Sequence, residues 1–232
     1  VLSNDNRLLG VVTSQSIVQV VDEELGDDYA KLAGLTAEED LNEPIMQSIK
    51  KRLPWLLILM VLGLVVSGVV GLFENIMAQL TIIVSFQSLI LDMAGNVGTQ
   101  SLAVTIRVLM DASLTGRQKL ELVLKEGRIG LFNGVILGIA SCCAVGLYIM
   151  LFKAKTAAFA FGISGCIGVA LLLAMVVSSI VGTSVPLLFK RLGVDPAVAS
   201  GPLITTLNDL TAVVAYYGLA WLLLINTFGF GA

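Results

Sequence analysis

The sequence contains no histidine and only three cysteines, and these shortages exclude several kinds of functional site. A zinc or haem site built on imidazole ligands has no residues to form it. The cysteines lie in apolar segments without a CxxC spacing, so we interpret Cys142, Cys143 and Cys166 as small packing residues. No nucleophile–base pair and no phosphate-binding loop is recognisable, which argues against an enzyme. Oxygen atoms remain the only plentiful metal ligands.

Charged side chains are also scarce, and this shortage decides the class of protein. Only 13% of the 232 residues are charged, whereas 56% are hydrophobic and the mean hydropathy is +0.93. A water-soluble domain of this length does not have such a composition. The chain is therefore predicted to be an integral membrane protein.

Five apolar segments have roughly the 20 residues that a helix needs to cross a bilayer. They lie near residues 54–73, 79–110, 128–151, 157–188 and 200–227. The sequence thus predicts an all-α polytopic membrane protein, with a five-helix transmembrane pore domain over residues 54–232. The second and fourth segments are overlong, so we expect them to tilt, to extend into the cytosol or to break at glycines and polar residues.

Basic residues are unevenly distributed between the ends of these segments. Between the third and fourth segments stand only Lys153 and Lys155, whereas the opposite side carries Lys50, Lys51, Arg52, Arg107, Arg117, Lys119, Lys125, Arg128, Lys190 and Arg191. Short cytosolic loops are rich in Lys and Arg. We therefore expect a multi-pass protein of the cell membrane with a cytosolic N-terminus and an external C-terminus.

The region before the first span is strongly acidic. Residues 1–49 hold ten of the seventeen Asp and Glu but only two basic residues, Arg7 and Lys31. Such an acidic appendage is the reverse of a nucleic-acid or anionic-lipid binder, and it suits cations better.

Two elements are predicted within this acidic region. Asn6–Thr13 has the β-branched pattern of a strand and Ser14–Val21 that of a short helix, which together resemble the end of a CBS domain. With the acidic segment 22–35 as a solvated linker, residues 1–35 are interpreted as a CBS-domain C-terminal remnant and linker. The chain is thus expected to start inside a larger cytosolic module.

A second helix is predicted over residues 36–53, directly before the membrane. Thr36 and Glu39 have the spacing of a capping box, and Pro44 is expected to kink the helix. Its apolar face consists of Leu41, Ile45, Ile49 and Leu53. This amphipathic helix either lies on the membrane interface or connects a sensor to the pore.

Polar residues cluster in the middle of the second span, where hydrocarbon would not tolerate them. One helix face there carries Asp92, Asn96, Thr99 and Ala103, with Gln100 close by. We interpret Asp92 and Asn96 as cation ligands and Thr99 and Ala103 as pore-lining residues. The alternative is that the polar side chains only form hydrogen bonds between helices.

Asp209 lies inside the fifth apolar segment rather than at its edge. Burying an ionised acid at bilayer depth costs at least about 2.5–3.5 kcal/mol, so such residues usually face a pore or a partner. The same helix face carries Pro202, Thr205, Asp209, Ala212 and Tyr216. We interpret Asp209 and Thr205 as cation ligands and Pro202 and Ala212 as pore lining. The alternative is a protonated or paired acid that only holds helices together, while Asn208 is expected to touch a neighbouring helix.

The ligand types indicate a hard cation. Mg²⁺ gives up its water reluctantly and is held by few carboxylates through that water, which suits one Asp per chain. If a two-fold axis ran through the pore, two copies of Asp209 would face each other across the ion. The residues alone do not reject Ca²⁺, Mn²⁺ or Na⁺.

Three segments carry a resemblance to a known family. GLFE at Gly71–Glu74, MAGNVGTQS at Met93–Ser101 and the long run GTSVPLLFKRLGVDPAVASGPLITTLNDLT at Gly182–Thr211 resemble the MgtE family of magnesium channels. The resemblance implies a homodimer with a pore lined by the second and fifth spans, in which Asp209 holds hydrated Mg²⁺. It also implies a cytosolic sensor that binds regulatory Mg²⁺ and closes the pore through a plug helix, here residues 36–52.

The expected function is facilitated magnesium uptake through a Mg²⁺-selective channel. The alternative is a Na⁺- or H⁺-coupled divalent cation transporter in which Asp92 and Asp209 carry the coupling ion. A non-transporting membrane anchor would need no polar stripes. Two further acids are secondary candidates: Glu74 for attracting cations at the outer mouth, and Asp195 for capping the cytosolic end of span five.

Overall fold

A computed structural model of the protein describes Asp5, Arg7 and residues 10–36, 41–111, 114–199 and 201–229. The elements in these ranges are helices: α1 Ser14–Leu32, α2 Ile45–Gly71, α3 Glu74–Gln79, α4 Thr81–Val84, α5 Gln87–Asp111, α6 Gly116–Phe152, α7 Ala157–Arg191 and α8 Gly201–Leu219. A 3₁₀ turn, Pro196–Val198, precedes α8, and a π-helical segment, Ala220–Thr227, continues it.

Within the described ranges, five stretches of helix are long and apolar enough to cross a membrane, which confirms the predicted all-α architecture. They are Ile45–Gly71, Thr81–Met110, Gly116–Phe152, Ala157–Arg191 and Gly201–Thr227. The third begins well before the predicted apolar segment because Thr115 and Gln118 form a capping box that starts α6 in its polar part. The second is broken between α4 and α5, at Ser85 and Phe86 rather than at the glycines.

The N-terminal region differs from its prediction. Arg7 and Gly10–Thr13 form no strand, and Asn6, Leu8 and Leu9 lie outside the described residues. Thr13 instead caps α1, accepting a hydrogen bond from the Ser16 amide at 3.1 Å. That helix continues to Leu32, so most of the segment predicted as an acidic linker is helical, and the chain turns at Gly34 with φ of +83°.

The helix predicted to begin at Thr36 begins instead at Ile45. Residues 37–40 lie outside the described part, and the chain turns at Leu41. Pro44 does not kink the helix but stands directly before its first residue, where a missing amide hydrogen costs nothing. From Ile45 the helix continues through Pro54 into the first span, so the predicted amphipathic helix and that span form one element, α2.

Glycines let α6 and α7 pack closely along most of their length. A Cβ atom at Gly130 would overlap Ser179, one at Gly134 would lie 3.0 Å from Leu172 Cα, and one at Gly138 would lie 2.8 Å from the Gly168 carbonyl oxygen. Small residues at such spacing are what allows helix backbones to approach in a membrane. Of this closely packed pair, α7 then forms most of the contacts with α5 and α8.

Candidate cation site

The candidate site is built at the crossing of α5 with α8 and α7. A Cβ at Gly95 would lie 3.1 Å from Thr205 Cγ2, and one at Gly98 would overlap the Asn208 side chain. On the other side, a Cβ at Gly182 would overlap the Gly98 carbonyl oxygen. The glycines in the motif of the second span are therefore needed for close approach, and they bring the two predicted polar helices into direct contact.

Asn208 fixes the rotation of α8. Its side chain is fully buried, and its Nδ2 donates to the Ala94 carbonyl at 3.4 Å. The expectation that Asn208 touches a neighbouring helix is thus confirmed. Because successive residues of a helix point about 100° apart, Asp209 must point away from this contact.

The predicted ligands on α8 differ in their surroundings. Asp209 and Thr205 are half-buried, and the Asp209 carboxylate forms no hydrogen bond or ion pair with another described residue. Pro202 is also half-buried and lies beside Gly34, where a Cβ would be 3.4 Å from Pro202 Cγ. Ala212 is completely buried in the hydrophobic core, so the accessible part of the stripe ends near Asp209.

The predicted face of α5 is largely exposed on this chain. Asp92, Asn96 and Ala103 are exposed, and neither the Asp92 nor the Asn96 side chain has a hydrogen-bond or ion-pair partner among the described residues. Thr99 is half-buried, and its hydroxyl donates to carbonyls of its own helix, to Gly95 at 3.1 Å and to Asn96 at 2.9 Å. Hydrogen bonding between helices within the chain therefore does not account for Asp92 and Asn96.

No group of three or more Cys, Asp or Glu side chains with metal-binding geometry occurs within the described ranges. The polar groups at the crossing are instead single carboxylate, amide and hydroxyl oxygens on two helices. Such an arrangement suits an ion that keeps its own water, because the water can bridge oxygens too far apart to bind the ion directly.

Glu126 of α6 contacts α5 on the side opposite to the exposed polar face, and it was not singled out from the sequence. It is only 4% exposed, and Ser101 Oγ donates to its Oε2 at 3.0 Å across α5 and α6. The flanking Lys125 and Arg128 suggest a surface loop. The signal that would have revealed Glu126 is its spacing of four from Gly130, Gly134 and Gly138, the face that packs inside.

Two tyrosines on α8 support the break in the second span, a role that was not predicted. Tyr216 was placed on the polar face of the helix and Tyr217 was not singled out, and both are completely buried. The Ile83 carbonyl accepts from the Phe86 amide at 3.1 Å and from the Tyr216 hydroxyl at 2.7 Å. The Tyr217 hydroxyl lies 2.6 Å from Gln87 Oε1. Irregular backbone at membrane depth needs such partners, so these hydroxyls fix where α5 begins relative to α8.

The two secondary acids lie at opposite ends of the molecule. Glu74 is exposed at the start of α3. Asp195 caps the 3₁₀ turn rather than α8: it accepts from the Ala197 amide at 2.9 Å, and its Oδ2 lies 2.7 Å from Lys31 Nζ of α1. Asp195 thus joins the N-terminal helix to the membrane domain.

Comparison with known proteins gives consistent similarities. A family model described as "MgtE: Divalent cation transporter" matches residues 87–219, which include α5 to α8. The chain is 38% identical over 216 residues to a protein named magnesium transporter MgtE from Enterococcus faecalis, covering 93% of this chain and 46% of that protein.

Two further proteins of that name are similar. The one from Bacillus subtilis is 32% identical over 220 residues, which cover 95% of this chain and 47% of that protein. The one from Thermus thermophilus is 30% identical over 227 residues, covering 97% and 48%. The chain therefore spans about half the length of the curated relatives it matches.

Proposed function

The chain belongs to the MgtE family of divalent cation transporters, and on that premise we propose that it forms the membrane part of a magnesium transporter. In this proposal it is a Mg²⁺-selective channel whose pathway is lined by α5 and α8, with Mg²⁺ as the transported substrate. The observation that carries the proposal is the α5–α8 crossing, which buries Asn208 and leaves Asp209 without a partner among the described residues.

Asp209 is the central ligand in this proposal. A half-buried carboxylate on an apolar helix is costly unless it meets water or a cation, and hydrated Mg²⁺ supplies both. Thr205, one turn earlier, contributes a second oxygen on the same face. Asp92 and Asn96 extend the oxygen lining along α5, while Thr99, Ala103 and Pro202 line the pathway towards α1.

A second copy of the chain completes the pathway. The polar face of α5 would otherwise meet lipid, which such groups do not tolerate. A two-fold axis beside this face covers it with its own copy and puts two Asp209 carboxylates on opposite sides of one hydrated ion. Ala212, buried in each chain, then supports the pathway instead of lining it.

The cytosolic side carries the regulatory part of the proposal. Residues 1–35 are a CBS-domain remnant and 36–53 the connecting or plug segment, with Mg²⁺ as a second, regulatory ligand of the acidic region. The excess of Lys and Arg on this side supports a cytosolic N-terminus in the cell membrane. Glu74 then lies at the outer end of the pathway, where a carboxylate attracts cations.

Ion flux into liposomes tests the central ligand. Asp209→Asn and Asp209→Ala are each expected to reduce Mg²⁺ flux at least tenfold, which is roughly 1.4 kcal/mol in the barrier. Glu121→Gln removes an acid that pairs with Arg117 on the exposed face of α6, and it should leave the flux unchanged. Unaltered flux in both Asp209 variants would refute the assignment.

The same liposomes separate the channel from a coupled transporter. Mg²⁺, Mn²⁺, Ca²⁺ and Co²⁺ are compared as permeant ions, with and without Na⁺ and pH gradients. A channel is expected to show Mg²⁺ flux that follows only its own electrochemical gradient. Mg²⁺ accumulation driven by an imposed Na⁺ or pH gradient would instead establish coupled transport.

A further inference from the structure

We propose that α6 carries a binding site for one anionic phospholipid headgroup, formed by Lys125 and Arg128. Both side chains are exposed, and neither forms a hydrogen bond or ion pair with another described residue. They lie three residues apart, which places them as neighbours on one helix face. Glu121 lies nearby and its Oε1 is paired with Arg117 Nε at 2.9 Å, so these two charges offset each other and Lys125 and Arg128 leave a net charge of +2.

A groove lies between these side chains on the outer face of α6. Its volume is about 360 Å³, and it is lined by Glu121, Leu124, Lys125, Arg128, Ile129 and Phe132. The end of the groove at Lys125 and Arg128 is therefore basic, and the end at Ile129 and Phe132 is apolar. This division matches a phospholipid, whose phosphate is anionic and whose acyl chains are not.

The apolar face continues along α6 towards its other end. Phe132, Ile136 and Ile139 are 67%, 64% and 62% exposed and follow one another at helical spacing below Arg128. Nothing in the described part of the chain covers this stripe. Acyl chains of a bound lipid would lie along it, with the headgroup held between the two cations above.

The depth of the two cations fits a headgroup. Counting back from the end of α6 at Phe152, the roughly 20 residues that span hydrocarbon reach about Asn133. Arg128 then lies a little over one turn outside the hydrocarbon and Lys125 about two turns outside. The count along α7 agrees, because a Cβ at the adjacent Gly127 would lie 3.4 Å from Ile180, which is 23 residues from the start of α7 at Ala157.

An anionic lipid fits this site best because the two cations and the apolar stripe lie next to each other on one helix face. An inorganic phosphate would use only the cations and leave Phe132 and Ile129 without a role. A zwitterionic lipid carries its own cation, which Lys125 and Arg128 would repel. Although the N-terminal region is acidic, this face belongs to the basic membrane domain, where anionic lipids are attracted at short range.

Lipid retention measured on the intact purified protein tests the proposal. Native mass spectrometry is run with added phosphatidylglycerol or phosphatidylcholine, and phosphatidylglycerol is expected to be retained selectively. The double variant K125Q/R128Q should weaken its retention roughly thirtyfold, the change expected for two cations near an anionic surface. The matched control K153Q/K155Q removes two charges at the opposite end of α6 and should retain the lipid normally.

Several outcomes would overturn the proposal. They are equal retention by K125Q/R128Q and wild type, equal retention of phosphatidylcholine, or displacement of the lipid by millimolar inorganic phosphate. A change of oligomeric state in K125Q/R128Q would also contradict it, because the cations would then face protein. The thermal midpoint of each variant is recorded alongside, and K125A/R128A replaces a variant that unfolds.

Discussion

Single buried polar residues hold the membrane helices in register. Ser101, Thr105, Thr183 and Asn208 are all buried, and each donates a hydrogen bond to a carbonyl or carboxylate. Thr105 and Thr183 bond to their own helices, whereas Ser101 and Asn208 bond to neighbouring ones. The latter two therefore help to specify how α5 sits between α6 and α8, as the two tyrosine hydroxyls of α8 also do.

The Ser101–Glu126 pair gives a prediction at this scale. Ser101→Ala and Glu126→Ala are each expected to lower the free energy of unfolding by about 1–3 kcal/mol, because a buried partner loses its hydrogen bond. The double variant should lose about 0.5–2 kcal/mol less than the two single losses together, as expected for an interhelical hydrogen bond. Denaturation of the reconstituted protein measures all four forms.

Conservative replacement separates the hydrogen bond from the charge. Glu126→Gln keeps an oxygen that accepts from Ser101, so it should be closer to wild type than Glu126→Ala. Glu121→Ala, at an exposed position of the same helix, serves as the control. Strictly additive losses in the double variant would show that Ser101 and Glu126 do not act on each other.

At the scale of elements, apolar length and periodicity predict the crossings but not where helices are joined or broken. All five spans were predictable because about 20 apolar residues leave no other structure in a bilayer. The joining of the amphipathic segment to the first span was not, because Pro44 and Pro54 each suggest a break. Pro54 nevertheless lies inside α2.

For the candidate site too, the sequence predicted some features and not others. Spacing placed Asp92 and Asn96 on one exposed face, and it separated Asn208 from Asp209. Ala212 lies in the core because α8 is packed on the side of Tyr216, and helical spacing does not tell how far along a stripe that packing extends. The burial of Glu126 was not predicted because the basic residues near it in the sequence are typical of an exposed segment.

The break between α4 and α5 gives a prediction at the scale of elements. Tyr216→Phe removes the hydroxyl that donates to the Ile83 carbonyl at 2.7 Å and leaves the ring in place. The expected loss is about 1–2 kcal/mol in the free energy of unfolding, since the carbonyl keeps only the Phe86 amide. Tyr148→Phe is the control, because the Tyr148 hydroxyl bonds to no other described residue.

Faster amide hydrogen exchange confined to residues 81–90 is the local signature to expect in Tyr216→Phe. Equal free energies of unfolding for Tyr216→Phe and Tyr148→Phe would show that the Tyr216 hydrogen bond does not stabilise the protein. A loss spread evenly over all helices would instead indicate that Tyr216 acts through general packing.

At the scale of the whole molecule, the N-terminal helix α1 packs beside α5 and the start of α8. The turn after α1 lies between α2 and α8: a Cβ at Gly34 would overlap Trp55, and one at Gly201 would lie 3.5 Å from the Leu32 carbonyl oxygen. Between α1 and α5 is a cavity of about 210 Å³ whose lining includes Ala103 and Arg107. The end of α1 and the turn after it therefore lie beside α2, α5 and α8.

The ion pair between Lys31 and Asp195 connects α1 to the turn before α8, and its titratable groups make this contact sensitive to pH. The Asp195 hydrogen bond raises the pKa of Lys31 above 10.5. For Asp195, burial acts to raise the pKa, but hydrogen bonds from Lys31 and the Ala197 amide outweigh it and lower the pKa below 3.8. Asp28 faces the same cavity as Asp195 and Lys190, and burial followed by the Asp195 charge raises its pKa.

The signs of these shifts define a pH window for docking of α1. The lowered pKa of Asp195 means that its contribution is present above about pH 3.8 and is lost as the pH falls through the docked value. The raised pKa of Lys31 means that its contribution is present below about pH 10.5 and is lost above it. Asp28 acts oppositely to Asp195, because its protonation on acidification removes a repulsion and strengthens docking.

Spin labels on Gln19 of α1 and Leu192 after α7 measure this docking as a distance distribution against pH. Because the Lys31–Asp195 pair is partly exposed, with side chains 27% and 41% accessible, Lys31→Gln should reduce the docked population by only about 1.5- to 5-fold. It should also abolish the transitions near both ends of the window, whereas Asp28→Asn should strengthen docking at pH 7. A Lys31→Gln profile identical to that of wild type and of the control Lys153→Gln would show that apolar contacts alone, such as Gly34 against Trp55, hold α1 in place.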